Sequence, residues 1–157
     1  MKKLMLSIFL LSGLYHLWTL RPVNIEYSYS DAGNTVFIVV DHLPWTDTDK
    51  IGWFLKNWPM LREKYPLFEG EWHRYYVVNI GNGFTNHEDY QDGPFEDLYC
   101  FPTIKSKNSC VIKDYPLIVD ELPYRNTKFY IDTIDGEHHY QLTPENQIER
   151  IYQQDQF

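Results

Sequence analysis

The sequence predicts an α+β protein: an N-terminal transmembrane helix, then an antiparallel sheet domain with one amphipathic helix packed on it. Three observations carry this. Lys2 and Lys3 are followed by seventeen residues without a formal charge. After Arg21 the chain turns to short alternating or β-branched segments separated by Gly, Asn, Asp and Pro. One stretch after Trp45 repeats its apolar residues at helical spacing. The 157 residues suffice for one domain, 22–157, behind an anchor, 1–21, and no internal repeat or linker divides it further.

The uncharged run is Leu4 to Leu20. At 1.5 Å per residue it reaches roughly 25 Å, the short end of what spans a bilayer core. Lysines ahead of it favour a cytoplasmic N-terminus in the bacterial inner membrane and a periplasmic C-terminal domain. Three readings compete. A cleaved signal peptide wants paired small residues before its cleavage site, which neither Leu17-Trp18-Thr19 nor Thr19-Leu20-Arg21 offers. A lipoprotein signal needs a cysteine where Leu14 stands. A buried core helix would show an amphipathic face, and this run has none. The uncleaved anchor is favoured, with Lys2, Lys3, Trp18 and Arg21 at the membrane interfaces and Tyr15 beside them.

Past the anchor, Val23 to Tyr29 alternates with period two and Asp31-Ala-Gly-Asn34 turns the chain. Thr35-Val-Phe-Ile-Val-Val40 is a β-branched run fit for a buried strand, so 23–41 reads as a hairpin. Thr46 with Asp49 three residues on makes a short-armed capping box. Ile51, Phe54, Leu55, Trp58 and Leu61 then fall on one stripe, placing a helix at about 47–64 that Pro59 should kink or restart. Trp72 to Ile80 is a strand ended by Gly81-Asn-Gly83, and 82–95 a long loop. Asp97 to Thr103 can pair with Ser109 to Lys113 across a polar turn. Lys128 to Ile134 and Glu137 to Thr143 flank Asp135-Gly136, the best hairpin signal in the chain, and Gln147 to Tyr152 adds a further strand. The sheet should hold about six to eight strands.

Charge is divided along the chain. Residues 1–21 carry +3, and the remaining 136 hold 22 acids against 11 bases, so the net −8 is +3 on the anchor and −11 on the domain. That excludes nucleic acid as a partner, since phosphate binding needs a basic face. It suits a protein partner with a basic surface. Cys100 and Cys110 lie on neighbouring predicted strands, and in an oxidising compartment they read as a disulfide rather than as a catalytic thiol.

Motifs for chemistry are weak. No nucleophile elbow, phosphate loop or zinc-protease helix is present, and no cofactor is implied. Asp47-Thr-Asp49 with Gly52 resembles a calcium loop, but Ile51 and Trp58 stand where oxygen ligands are required. His138 and His139 are adjacent on a strand and point to opposite faces, so no metal site is expected there. His87-Glu88-Asp89 sits in the polar loop and could serve as ligands or as an acid/base pair, but a solvated loop is the simpler reading. Glu69, Glu71, Asp92, Glu96 and Asp97 could supply a glycosidase pair only weakly in so acidic a chain. Tyr75, Tyr76, Tyr90, Phe95, Tyr99 and Phe101 straddle the 82–95 loop, either as half-exposed strand residues or as a recognition rim.

Leu43-Pro-Trp-Thr-Asp47, Asp49-Lys-Ile-Gly-Trp-Phe-Leu-Lys-Asn57, Leu61-Arg-Glu-Lys-Tyr65 and Leu98-Tyr-Cys-Phe101 with Cys110 follow the charged start and an apolar run ending at Arg21-Pro22-Val23. In these residues the chain resembles the domain-of-unknown-function family 943, small membrane proteins of enteric bacteria. The resemblance implies one N-terminal span and an exported domain, and supplies no catalytic residues. The expected function is therefore a membrane-anchored periplasmic binding protein without catalytic activity, an immunity protein against an antibacterial toxin in its leading form. The alternative is an envelope accessory protein that binds glycan or another membrane protein. The expected contact residues are Tyr90, Asp92, Phe95, Glu96 and Asp97.

Overall fold

The structure, a computed structural model, describes residues 2–19, 21–31, 33–66, 70–90 and 97–152. Helix α1 covers Lys2–Thr19. Strands β1 (Ile25–Ser30) and β2 (Thr35–Val40) are followed by helix α2 (Asp47–Lys64) and strand β3 (His73–Asn79). The remaining strands are β4 (Leu98–Cys100), β5 (Cys110–Ile112), β6 (Leu117–Glu121), β7 (Lys128–Thr133), β8 (Gly136–Leu142) and β9 (Ile148–Ile151). Seven strands form one sheet in the order β1-β2-β3-β6-β7-β8-β9, and β4-β5 is a separate two-stranded sheet.

The main sheet is mixed, which corrects the expectation of an antiparallel one. β2 and β3 run parallel, from Thr35 opposite Arg74 to Val40 opposite Asn79. α2 is the crossover between them, since two parallel neighbours cannot be joined by a tight turn. The other ladders of the sheet are antiparallel.

α2 forms where its signals lie. Thr46 Oγ1 accepts from the Asp49 amide at 3.2 Å, Asp47 and Asp49 occupy the positive first turn, and Arg62 and Lys64 the last. The helix runs through Pro59 as one element rather than restarting there. It buries Ile51, Phe54 and Leu61 against Val36, Ile38, Tyr75, Val77, Val119 and Phe129 of the sheet. On the opposite face the β4-β5 hairpin covers only the β1-β2-β3 half. Phe101 and Val111 pack there with Phe37, Val39 and Val78, and Tyr27, Tyr29, Tyr76 and Tyr99 wall this second core. Phe37 stacks on Tyr99 with centroids 3.9 Å apart. Both helix and hairpin thus bury one apolar set of a strand pair whose alternate residues face opposite layers.

α1 packs differently. Met5, Leu6, Ile8, Phe9, Leu10, Leu11, Leu14 and Leu17 are all exposed, with Phe9 at 82%. The transmembrane span expected over 4–20 is corrected in one respect: no described helix is long and apolar enough to cross a membrane. The physical reason is that α1 is 18 residues long and spends its first two on Lys2 and Lys3. Lys3 and Arg21 are exposed, while the side chains of Lys2 and Trp18 lie outside the described residues. Beyond α1 the chain is fastened to the domain at Asp41. That carboxylate accepts from Arg21 at 3.1 Å, from the Asn24 amide at 2.9 Å and from His42 Nδ1 at 2.8 Å. Burial alone would raise the Asp41 pKa, but the hydrogen bonds from Asn24 and His42 and the His42 charge outweigh it and hold the carboxyl below its ordinary value. Tyr15 meets Trp45 edge-on with centroids 5.6 Å apart.

Candidate recognition cleft

Parallel pairing of β2 and β3 puts their carboxyl ends side by side, and a crevice opens beyond them. Such crevices form because the loops leaving two parallel neighbours diverge to opposite layers. Here α2 follows β2 on one face, while Gly81 onward leads β3 toward the hairpin on the other. The Ile80 amide still donates to the Val40 carbonyl at 2.9 Å, and Gly83 to Ile80 at 3.0 Å. Gly81 at φ +56° and Gly83 at φ +106° make that turn in backbone that favours glycine. The chain then runs beside β5, Thr85 and Cys110 exchanging both backbone hydrogen bonds at 2.8 and 2.9 Å.

The result is a cleft of about 400 Å³ lined by the 79–85 turn with Asp89, Tyr90, Ile112 and Asp114. Its walls are Ile80, Phe84, Tyr90 and Ile112, the last 48% exposed. Its charged groups are the carboxylates of Asp89 and Asp114. Asn79 donates to Asp114 Oδ2 at 3.4 Å, while Asn79 Oδ1 is buried and has no hydrogen-bond partner among the described residues. Asp89 is positioned by Asn86, whose Oδ1 accepts from the Glu88 and Asp89 amides at 2.8 and 2.9 Å and whose Nδ2 donates to Asn108 at 2.6 Å. Two exposed carboxylates over apolar walls suit a group that donates hydrogen bonds and carries positive charge, such as a guanidinium or an ammonium.

A family model described as enterobacterial putative membrane protein (DUF943) matches residues 1–152. The chain belongs to this family. The match covers both α1 and the whole described domain, so for DUF943 the apolar helix and the sheet are parts of one unit. No curated protein and no solved structure matches the chain.

Set against this DUF943 fold, the contact residues expected from sequence divide. Tyr90 lines the cleft, and Asp97 is exposed at the foot of β4, its carbonyl accepting from the Lys113 amide at 2.7 Å. Asp92, Phe95 and Glu96 lie outside the described residues. Of the aromatics read either as half-exposed strand residues or as a recognition rim, four pack inward. Tyr75 and Phe101 are fully buried, and Tyr76 and Tyr99 pack into the second core because their strands alternate into it. Asn79 and Asp114 were missed; they stand 35 residues apart, and nothing local marks either.

Two further clusters also carry titratable side chains. Asp47 Oδ2 accepts from His138 Nδ1 at 2.7 Å and from the Tyr140 hydroxyl at 2.8 Å, and Lys50 Nζ lies 4.0 Å from Asp47 Oδ1. His139, on the other face as expected, bonds Glu137 instead at 2.6 Å. Cys100 and Cys110 are register partners joined by a disulfide of 2.09 Å, and His87 Nε2 lies 3.3 Å from Cys100 Sγ. With both sulfurs bonded to each other, this trio has no thiolate to offer a metal.

Proposed function

We propose that the protein is a membrane-attached binding protein without catalytic activity, acting outside the cytoplasmic membrane on a basic protein. An immunity protein that neutralises an antibacterial toxin is the form of this reading carried furthest. The observation that carries it is the acidic cleft, where the exposed Asp89 and Asp114 stand beside the apolar walls of Ile80, Phe84, Tyr90 and Ile112. The domain's −11 charge supports steering of a basic partner. Membrane attachment is supported by the family description and by the exposed apolar surface of α1, which holds no acid. The disulfide supports an oxidising, periplasmic domain, and Lys2-Lys3 a cytoplasmic N-terminus.

The test is binding of an oligo-arginine peptide to the full chain in phosphatidylcholine vesicles. Salt-sensitive binding that falls at least several-fold in Asp89→Asn with Asp114→Asn is expected. Binding unchanged by that pair would remove the cleft from the reading. In cells, deletion of the gene should sensitise the strain to a toxin encoded beside it; unchanged sensitivity sinks the immunity form.

A second reading, glycan binding at the envelope, is favoured by Trp72. The residue is 41% exposed and its ring is braced by the Arg74 guanidinium at 5.3 Å, as a stacking platform would be. Binding of the protein to peptidoglycan that disappears in Trp72→Ala would favour it over the basic-protein reading.

A further inference from the structure

We propose that Trp45 and Ile134 form a second foothold on the bilayer, so that the domain rests on the lipid surface at its α1 end. The occupant is the interfacial zone of a zwitterionic phospholipid bilayer. This rests on the reading of α1 as the membrane-attached element.

Six strand ends, those of β1, β2, β3, β6, β7 and β8, converge on one side of the sheet. Val40 ends β2 opposite Ile25, where the chain arrives from α1; Leu117 begins β6 opposite Val77; and β7 ends at Thr133 opposite Gly136. The β7-β8 turn, the start of α2 and the exit from α1 therefore share one end. There Trp45 and Ile134 flank a single open cavity of about 630 Å³ with Asp47, Lys50, Asp132, Thr133 and Asp135. Ile134 is fully exposed and Trp45 is 61% exposed, two large apolar side chains that the domain itself leaves uncovered.

What covers them follows from continuity with α1. Tyr15 lies four residues before the end of that helix and touches Trp45. Whether α1 enters the bilayer steeply or lies along it, a residue in contact with Tyr15 stands at the level where the helix leaves the lipid. Indole rings favour that level, having an apolar body and one polar N–H. Ile134 extends the same edge at the tip of a hairpin, so a bilayer meeting Trp45 also meets Ile134. The carboxylates of Asp132 and Asp135 on either side decide the lipid. They repel an anionic surface and tolerate a zwitterionic one.

The test uses the full chain with Ile134→Cys carrying a nitroxide; the native cysteines are bonded to each other and do not label. Tyr124→Cys is the control, equally exposed in the β6-β7 connection at the other end of β7. On phosphatidylcholine vesicles, the label at 134 should gain oxygen contact and lose contact with a water-soluble nickel chelate, while the label at 124 does not change. Added phosphatidylglycerol should reverse part of the gain. Trp45→Ala should return the label at 134 to water while the protein still floats with the vesicles. Floating protein whose label at 134 stays as wet as that at 124 overturns the foothold and leaves α1 attachment standing. So does a label whose depth ignores Trp45→Ala. Protein that does not float at all overturns both.

Discussion

Asp47, the first residue of α2, and His138, in β8, stand 2.7 Å apart across ninety-one positions of sequence. With the Tyr140 hydroxyl on the same oxygen, the contact fastens the start of the crossover helix to the far half of the sheet.

Acid should loosen this fastening. Burial on its own would raise the Asp47 pKa, yet hydrogen bonds from His138 and Tyr140 and the charges of Lys50 and His138 lower it below the ordinary carboxyl value. A carboxyl depressed on folding adds stability that is complete above its unfolded pKa of about 3.9 and is lost as pH falls through the lower folded value. Asp47→Asn should therefore cost stability at neutral pH and make the decline below about pH 4 shallower. Urea titrations from pH 7 to pH 3 will read this as a smaller gap between variant and parent in acid; a gap that does not change with pH would refute it.

Arg74 and Asp120 face each other as register partners of β3 and β6, joined by two hydrogen bonds of 2.6 Å. The Asp120 carboxylate is nearly buried, while about a third of the Arg74 side chain is exposed. Arg74→Ala strips the carboxylate of its guanidinium, with the Tyr130 hydroxyl still bonded to it, and should cost about 2–3 kcal/mol, less than a wholly buried pair would. Arg74→Met combined with Asp120→Leu should recover most of that in thermal melts. A double variant no better than the single would show that the pair's geometry, not its desolvation, sets the cost.

The disulfide closes a short loop at the base of the hairpin that roofs the second core. Reduction should destabilise the fold by about 2–3 kcal/mol in the chain-entropy model. The loss should be felt first at Phe101 and Val111, the residues the hairpin inserts. Hydrogen exchange with and without reductant can follow it at the Phe101 and Cys110 amides, which donate to Ser109 and Thr85. Equal protection in both states would mean that packing alone holds the roof.

If α1 attaches through its apolar surface, as proposed, a charge there should release it. Phe9→Asp together with Leu10→Asp places two acids on side chains that are 82% and 60% exposed. A central charge costs about 2.5–3.5 kcal/mol in a bilayer. The variant should leave the vesicle fraction with its circular dichroism unaltered; retention on vesicles would refute attachment through α1.

Much of the fold is legible from local signals. α2 begins and ends where the Thr46 cap and the Ile51-Phe54-Leu61 stripe put it, because cap and stripe act within a few residues. The β7-β8 hairpin follows from Asp135-Gly136, and the cysteine pairing from two strands a short turn apart. What local pattern does not carry is partner choice. Thr35 to Val40 reads as a buried strand whichever way its neighbour runs, and the parallel pairing with β3 depends on the intervening helix acting as a crossover. β6 is only five residues between Pro116 and Pro123, too short for alternation to stand out. The cleft was half visible for the same reason: Gly81 and Gly83 mark a turn, but Asn79 and Asp114 meet only once β3 and the start of β6 lie side by side.

The parallel pairing of β2 and β3 has one more consequence. It sets the cleft and the exit of α1 at the same end of the sheet, since Ile80 hydrogen-bonds Val40 and Asn24 bonds Asp41. With α1 in the bilayer, anything the cleft grips is held within a domain's width of the lipid. A partner confined to that surface searches two dimensions instead of three, and confinement raises its effective concentration without a single added contact. A grip too weak to capture a molecule from bulk solution is then strong enough for one already travelling along the membrane.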